Sequence, residues 1–104
     1  MFARNVSFRL KPNTHSDYSR TIENQVLPLL QKQKGFKEEI TLCNGNNVDA
    51  VSISLWDNKS DAENYNTNVY PQVIKTLEKV IDGSPRVHTF ETVTSTSNRV
   101  PATV

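Results

Sequence analysis

The chain has 104 residues, 12 of them basic and 11 acidic, for a formal net charge of +1, with 36% hydrophobic residues. That is the size of one domain. A balanced charge gives no electrostatic footprint for nucleic acid or an anionic membrane, and Lys32, Lys34 and Lys37, followed at once by Glu38 and Glu39, read as a solvated helix end.

Cys43 stands alone, which excludes an internal disulfide, and no CxxC or HxxH spacing offers a metal site. The N-terminus lacks a basic segment followed by an apolar one, and no apolar run is long enough to span a bilayer. A soluble protein of the reducing cytoplasm is expected.

In chain order, residues 2–10 place Phe2, Val6, Phe8 and Leu10 on one parity and Asn5, Ser7 and Arg9 on the other, the period of a half-buried strand that Lys11-Pro12-Asn13 ends. Residues 14–17 supply a helix N-cap and an early acid, and Tyr18, Ile22, Val26, Leu29 and Leu30 form one apolar stripe. Pro28 has no N–H and crowds the carbonyl of Asn24, which predicts a kink or local irregularity, and Gly35 is expected to end the helix as its C′ residue. Residues 36–43 alternate again. Asn44-Gly45-Asn46-Asn47 is turn chemistry before a strand at residues 48–56, so strands two and three form a hairpin.

Ser60-Asp61-Ala62-Glu63 matches a capping box that starts a helix at Ser60, with Ala62, Tyr65 and Val69 inward. Pro71 fits the first position of a second helical segment carrying Val73, Ile74, Leu77, Val80 and Ile81, so this helix breaks near Tyr70. Asp82-Gly83-Ser84-Pro85 then stops it and residues 86–93 form a fourth strand. The domain spans residues 1–94, and residues 95–104 are a polar C-terminal tail.

The order β-α-β-β-α-β is the ferredoxin-like α+β arrangement, a four-stranded antiparallel sheet with helices on one face. It leaves the other sheet face bare. Strand three has Val51, Ile53 and Leu55 on one side and Ser52, Ser54 and Trp56 on the other, and an open apolar face is most simply covered by a second copy, predicting a homodimer.

The helix end Leu27-Pro28-Leu29-Leu30-Gln31-Lys32-Gln33-Lys34-Gly35-Phe36, the strand end Leu55-Trp56 with residues 60–65 after it, and the closing Val87-His88-Thr89-Phe90-Glu91 together resemble the antibiotic biosynthesis monooxygenase domain of the dimeric α+β barrel superfamily. The resemblance covers roughly residues 2–93. It implies two sheets facing each other in a dimer and a pocket between each sheet and its own helices. Some members oxidise polycyclic phenols or quinols with molecular oxygen and no cofactor, and others degrade haem; fold alone assigns neither.

Cofactor-free oxygenation needs a substrate able to become an electron-rich carbanion, a proton acceptor, and neutral donors for the developing oxyanion. Carried over by position, Trp56 matches the pocket tryptophan of the quinone-forming members, whereas their strand-three asparagine falls at Ser52 and their strand-two tyrosine at about Thr41. Asn5 lies near the first-strand asparagine of the haem-degrading members and Tyr65 near their ring-distorting tryptophan. Their axial histidine would fall within residues 73–75, where there is none, so haem degradation is disfavoured. Burial alone would turn Val51, Ile53 and Leu55 toward the helices. The resemblance instead points Trp56 there with Ser52 and Ser54, and this second arrangement is expected, leaving the apolar set for the dimer interface.

The resulting expectation is a cofactor-independent monooxygenase acting on a small aromatic or quinol-type substrate, with Trp56, Asn5 and Tyr65 as catalytic donors and Ser52, Ser54, Tyr70 and His88 around the substrate. No metal or cofactor is expected. The alternative is a non-catalytic homodimeric module binding a small hydrophobic ligand. For single residues the plainer fates stay open: Trp56 as a core plug, the tyrosines as core-edge packing, Asn5 as a solvent-facing strand residue, and Cys43 as a buried thiol. His15 and His88 form no dyad by spacing. RNA recognition motifs share the strand order but need stacking aromatics where strand three offers Ser52 and Ser54.

Overall fold

Alternation along β1 (Phe2–Leu10) buries every even residue, Phe2, Arg4, Val6, Phe8 and Leu10. A computed structural model describes residues 1–94 and Thr96, so the expected polar tail lies, Thr96 apart, outside the described residues. With β2 (Phe36–Cys43), β3 (Asp49–Trp56) and β4 (Ile81–Glu91), β1 forms a four-stranded sheet in the order β2-β3-β1-β4 with every neighbour antiparallel. The split βαβ topology and the β2–β3 hairpin are as expected.

Register then assigns the faces. Phe2 pairs with Trp56 and Val6 with Ser52, so Ala50, Ser52, Ser54 and Trp56 share the helix-covered side with the even residues of β1. Val51, Ile53 and Leu55 lie on the open side, as the resemblance implied. Ile40 and Leu42 pair with Ile53 and Val51, and Phe90 pairs with Ala3, so they join that side. Leu42 and Phe90 are 54% and 55% exposed, so the open face carries exposed apolar side chains, with Asn5 and Ser7 of the central strand among them.

The first helical stretch runs α1 (His15–Thr21), a π-helical turn (Ile22–Val26) and α2 (Leu27–Gln31). Its buried residues Tyr18, Ile22, Val26 and Leu30 recur every four residues. At ~100° per residue, an α-helix would carry that spacing about 120° around its axis over three steps. The wider π turn keeps all four against the sheet, and Pro28 sits in the first turn of α2, where the α ladder is already interrupted. The expected irregularity is therefore real. The end of this helix differs from expectation: α2 stops at Gln31, where the backbone N–H of Gln33 donates to the Leu30 carbonyl and its side-chain amide to that of Leu29, both at 2.9 Å. Gly35 lies farther on, at φ +79, and its carbonyl accepts the Asp57 N–H at 2.8 Å. A Cβ there would collide with the Asp61 side chain.

α3 (Lys59–Asn68) is capped by Asn58, whose Oδ1 accepts the Asp61 amide at 3.0 Å. The Ser60 capping box does not form, because Asn58 stands two residues earlier in extended geometry and Ser60 instead donates to it at 2.7 Å. The chain breaks at Val69, and α4 (Tyr70–Leu77) follows with Pro71 in its first turn. β4 begins at Ile81, five residues before the expected start. The Asp82-Gly83-Ser84-Pro85 segment is part of that strand, with Gly83 at φ +80 and a register shift opposite Ser7 and Arg9. No helix among the described residues is long and apolar enough to cross a membrane.

Candidate functional site

Between the sheet and the helices the side chains leave a cavity of about 40 Å³, room for about three waters. Val6, Phe8, Ile22, Val26, Leu30, Val73 and Leu77 make its apolar wall. The polar groups are few and convergent: Arg4 from β1, Glu39 from β2, Ser52 and Ser54 from β3, Tyr18 from α1, Tyr65 from α3 and Tyr70 from α4. This is the composition of a small-ligand site. Small serines beneath the helices, where large aliphatics would close the layer, create the space.

Trp56 organises one end of the site without lining the cavity. It is fully buried, its Nε1–H donates to Ser54 Oγ at 2.9 Å, and its ring lies 5.5 Å from Phe36 edge-on and 5.1 Å from Tyr65. Its only donor is thus spent on Ser54, the plug arrangement. The aromatic row continues from Tyr65 to Tyr70 at 6.1 Å and ends under Arg4, whose Cζ lies 4.1 Å from the Tyr70 ring and 5.1 Å from that of Tyr65. Arg4 is only 3% exposed, and its Nη2 donates to Asn66 Oδ1 at 2.7 Å.

Burial raises all three phenols, Tyr65 to about 12 against the pull of Arg4, so each remains a neutral donor at physiological pH. The Tyr18 hydroxyl is buried with no hydrogen bond in proper geometry, although the hydroxyls of Thr41 and Ser52 lie close enough to bias its titration. Glu39, half-buried, accepts the Thr41 hydroxyl at 2.6 and 2.9 Å on its two oxygens. Desolvation nevertheless holds its carboxyl above the ordinary carboxylate value. Glu39 and Tyr18 also border an outer groove along β2 and α1, so the carboxyl touches both the interior and the way out.

Of the residues singled out in the sequence, Ser52, Ser54, Tyr65 and Tyr70 come together at the cavity. Asn5 and His88 do not: paired with each other across β1 and β4, they occupy the open side of the sheet. The reason is register, since Asn5 also pairs with Ile53, one step out of phase with Trp56. Cys43 is exposed at the end of β2, not buried. Arg4, Glu39 and Tyr18 were missed as site residues. For Arg4 the signal was present, an arginine on the same parity as Phe2, Val6 and Phe8. Among the described residues, no group of three His, Cys, Asp or Glu side chains is arranged to hold a metal.

No family model matches the chain, and no curated protein matches its sequence. Solved structures do resemble it. A monooxygenase from ActVA-Orf6 of Streptomyces coelicolor, in complex with nanaomycin D, is 15% identical over 86% of this chain and 84% of that one, with a TM-score of 0.74. SnoaB, a cofactor-independent oxygenase from Streptomyces nogalater, is 10% identical over 93% and 97%, at 0.76. The NE2512 protein of unknown function from Nitrosomonas europaea is 16% identical over 97% and 94%, at 0.72. The chain has the ferredoxin-like α+β fold seen in antibiotic biosynthesis monooxygenase structures, and at these identities the likeness is one of fold.

The raised Glu39 carboxyl has a consequence for stability. Folded Glu39 keeps its proton to a higher pH than unfolded Glu39, so between the two titrations the native state binds more protons and stability falls as pH rises. Glu39→Gln should flatten that decline and make the protein more resistant to urea than the wild type at pH 7. Urea midpoints measured from pH 4 to 7 check this, and parallel profiles for the two proteins would refute it.

Proposed function

We propose that the protein is a cofactor-independent monooxygenase of the cytoplasm that acts on a small aromatic or quinol-type substrate with molecular oxygen. The observation that supports this reading best is Glu39: a carboxyl kept above its usual range by desolvation, at the wall of an apolar cavity that also holds neutral phenols. Such a group is suited to accept a proton from an acidic C–H or O–H. Tyr65, Tyr70 and Ser52 are the donors for the developing oxyanion, and Trp56 holds Tyr65 and Ser54 in position. For a substrate with a doubly benzylic methylene, that carbon gives up both hydrogens and takes one oxygen atom as a carbonyl. The second oxygen atom leaves as water, so no external reductant is needed.

Anything larger than a few waters requires the walls to part. The break at Val69 lets α4, with Tyr70, Val73 and Leu77, move relative to α3. The small size of the cavity also favours a second reading, a non-catalytic homodimeric module that closes over a small hydrophobic ligand.

An oxygen electrode separates the two. With anthrone or dihydroxynaphthalenes, oxygen uptake above the uncatalysed rate is expected, and Glu39→Gln should lower kcat by about a hundredfold. Ligand binding without uptake anywhere in the panel would leave the binding module and defeat the oxygenase.

The apolar open face supports a homodimer, two sheets packed through Ile40, Leu42, Ile53 and Phe90. Sedimentation should show a dimer that Ile53→Glu converts to a folded monomer. A wild-type monomer at high micromolar concentration would contradict this.

A further inference from the structure

Among the described residues Arg4 is the one charged side chain in the buried core, and it has no counter-ion there. The ion pairs of the fold lie elsewhere and on the surface, Arg9 with Asp49, Arg20 with Asp17, Lys37 with Asp57 and Lys59 with Glu63. What surrounds Arg4 is neutral: the Asn66 amide and the rings of Tyr65 and Tyr70. A guanidinium is never deprotonated in a protein, and burying one without an anion is costly. Asn66 accepts from Nη2 and the Tyr70 hydroxyl lies close enough to interact with the guanidinium, which still leaves N–H groups of the five over, and the planar fork matches a carboxylate in two-point geometry.

We infer that Arg4 anchors a carboxylate on the ligand, so that the cavity takes a planar aromatic monoacid with its charged end at Arg4 and its rings among Tyr65, Tyr70, Val73 and Leu77. Arg4 also borders an outer groove beside Asn66, Val87 and Thr89, on the β4 side of the sheet, whereas Glu39 borders the groove on the β2 side. A ligand held at Arg4 therefore points its far end toward Glu39, the group proposed to take a proton. The inference rests on the cavity being the ligand site of the proposed function and adds the charge of the substrate class.

Calorimetric titration of the purified protein with 2-naphthoate and with methyl 2-naphthoate tests it. The acid should bind about ten- to a hundredfold more tightly than the ester. Arg4→Met should abolish the preference, and Arg4→Lys should retain part of it. An arginine with a purely structural role would change stability on substitution and leave the acid-to-ester ratio unchanged. Equal affinity of the wild type for both compounds overturns the inference alone, as does a preference that survives in Arg4→Met. Binding of neither compound overturns it together with the ligand-site reading. The comparison on the wild type stands even where Arg4→Met fails to fold.

Discussion

The pairing of Phe2 with Trp56 fixes everything the site is made of. Strand side chains alternate, so this one register sends Ser52, Ser54 and Trp56 under the helices and Val51, Ile53 and Leu55 to the other face; a slip of one residue would exchange them. The chosen register buries two serines in a helix-covered layer and leaves apolar side chains outside, the reverse of what burial of strand three alone would favour. Trp56 makes that arrangement workable. Its ring fills the end of the layer, and its N–H satisfies Ser54, so a hydroxyl is buried without being left unpaired. The cost is a sheet with large apolar side chains on both sides, and hence a face that calls for a cover.

The chemistry of the cavity follows from having polar groups in a desolvated, largely apolar space. Low local polarity raises three phenols and keeps them neutral, raises the Glu39 carboxyl, and leaves the Arg4 charge to be answered by ring faces, one amide and the Tyr70 hydroxyl. These are separate responses to one cause. Neutral donors, a proton acceptor and a fixed cation meet at one cavity because six different elements deliver them to the same side of one sheet.

Much of the architecture was legible in the sequence because it is written in local periods: alternation over residues 2–10 and 36–43, an apolar helical stripe, and turn residues at 44–47. The misreadings share a cause too, since each depended on something outside its own window. Asn58 and Ser60 are both competent caps, and only the backbone entering α3 decides between them. Gly83 reads equally as a stop and as a bulge, and the shift in register against β1, between Asp82 and Arg86, makes it a bulge. Asn5 and His88 were placed at the site by type and by resemblance, while their true side is set by non-local register. Arg4 was readable by parity, but a charge within an apolar alternation is easily passed over.

The central claim is that the ligand site lies beneath the helices, between Arg4 and Glu39, and not on the open sheet face. A crystal structure of the protein grown with 2-naphthoate tests it most directly. The account predicts the naphthyl rings beside Tyr65 and Tyr70, the carboxylate on the Arg4 guanidinium, and α4 displaced outward about Val69. A naphthoate bound instead on the surface of Ile40, Ile53 and Phe90, with the inner cavity still closed, would contradict it.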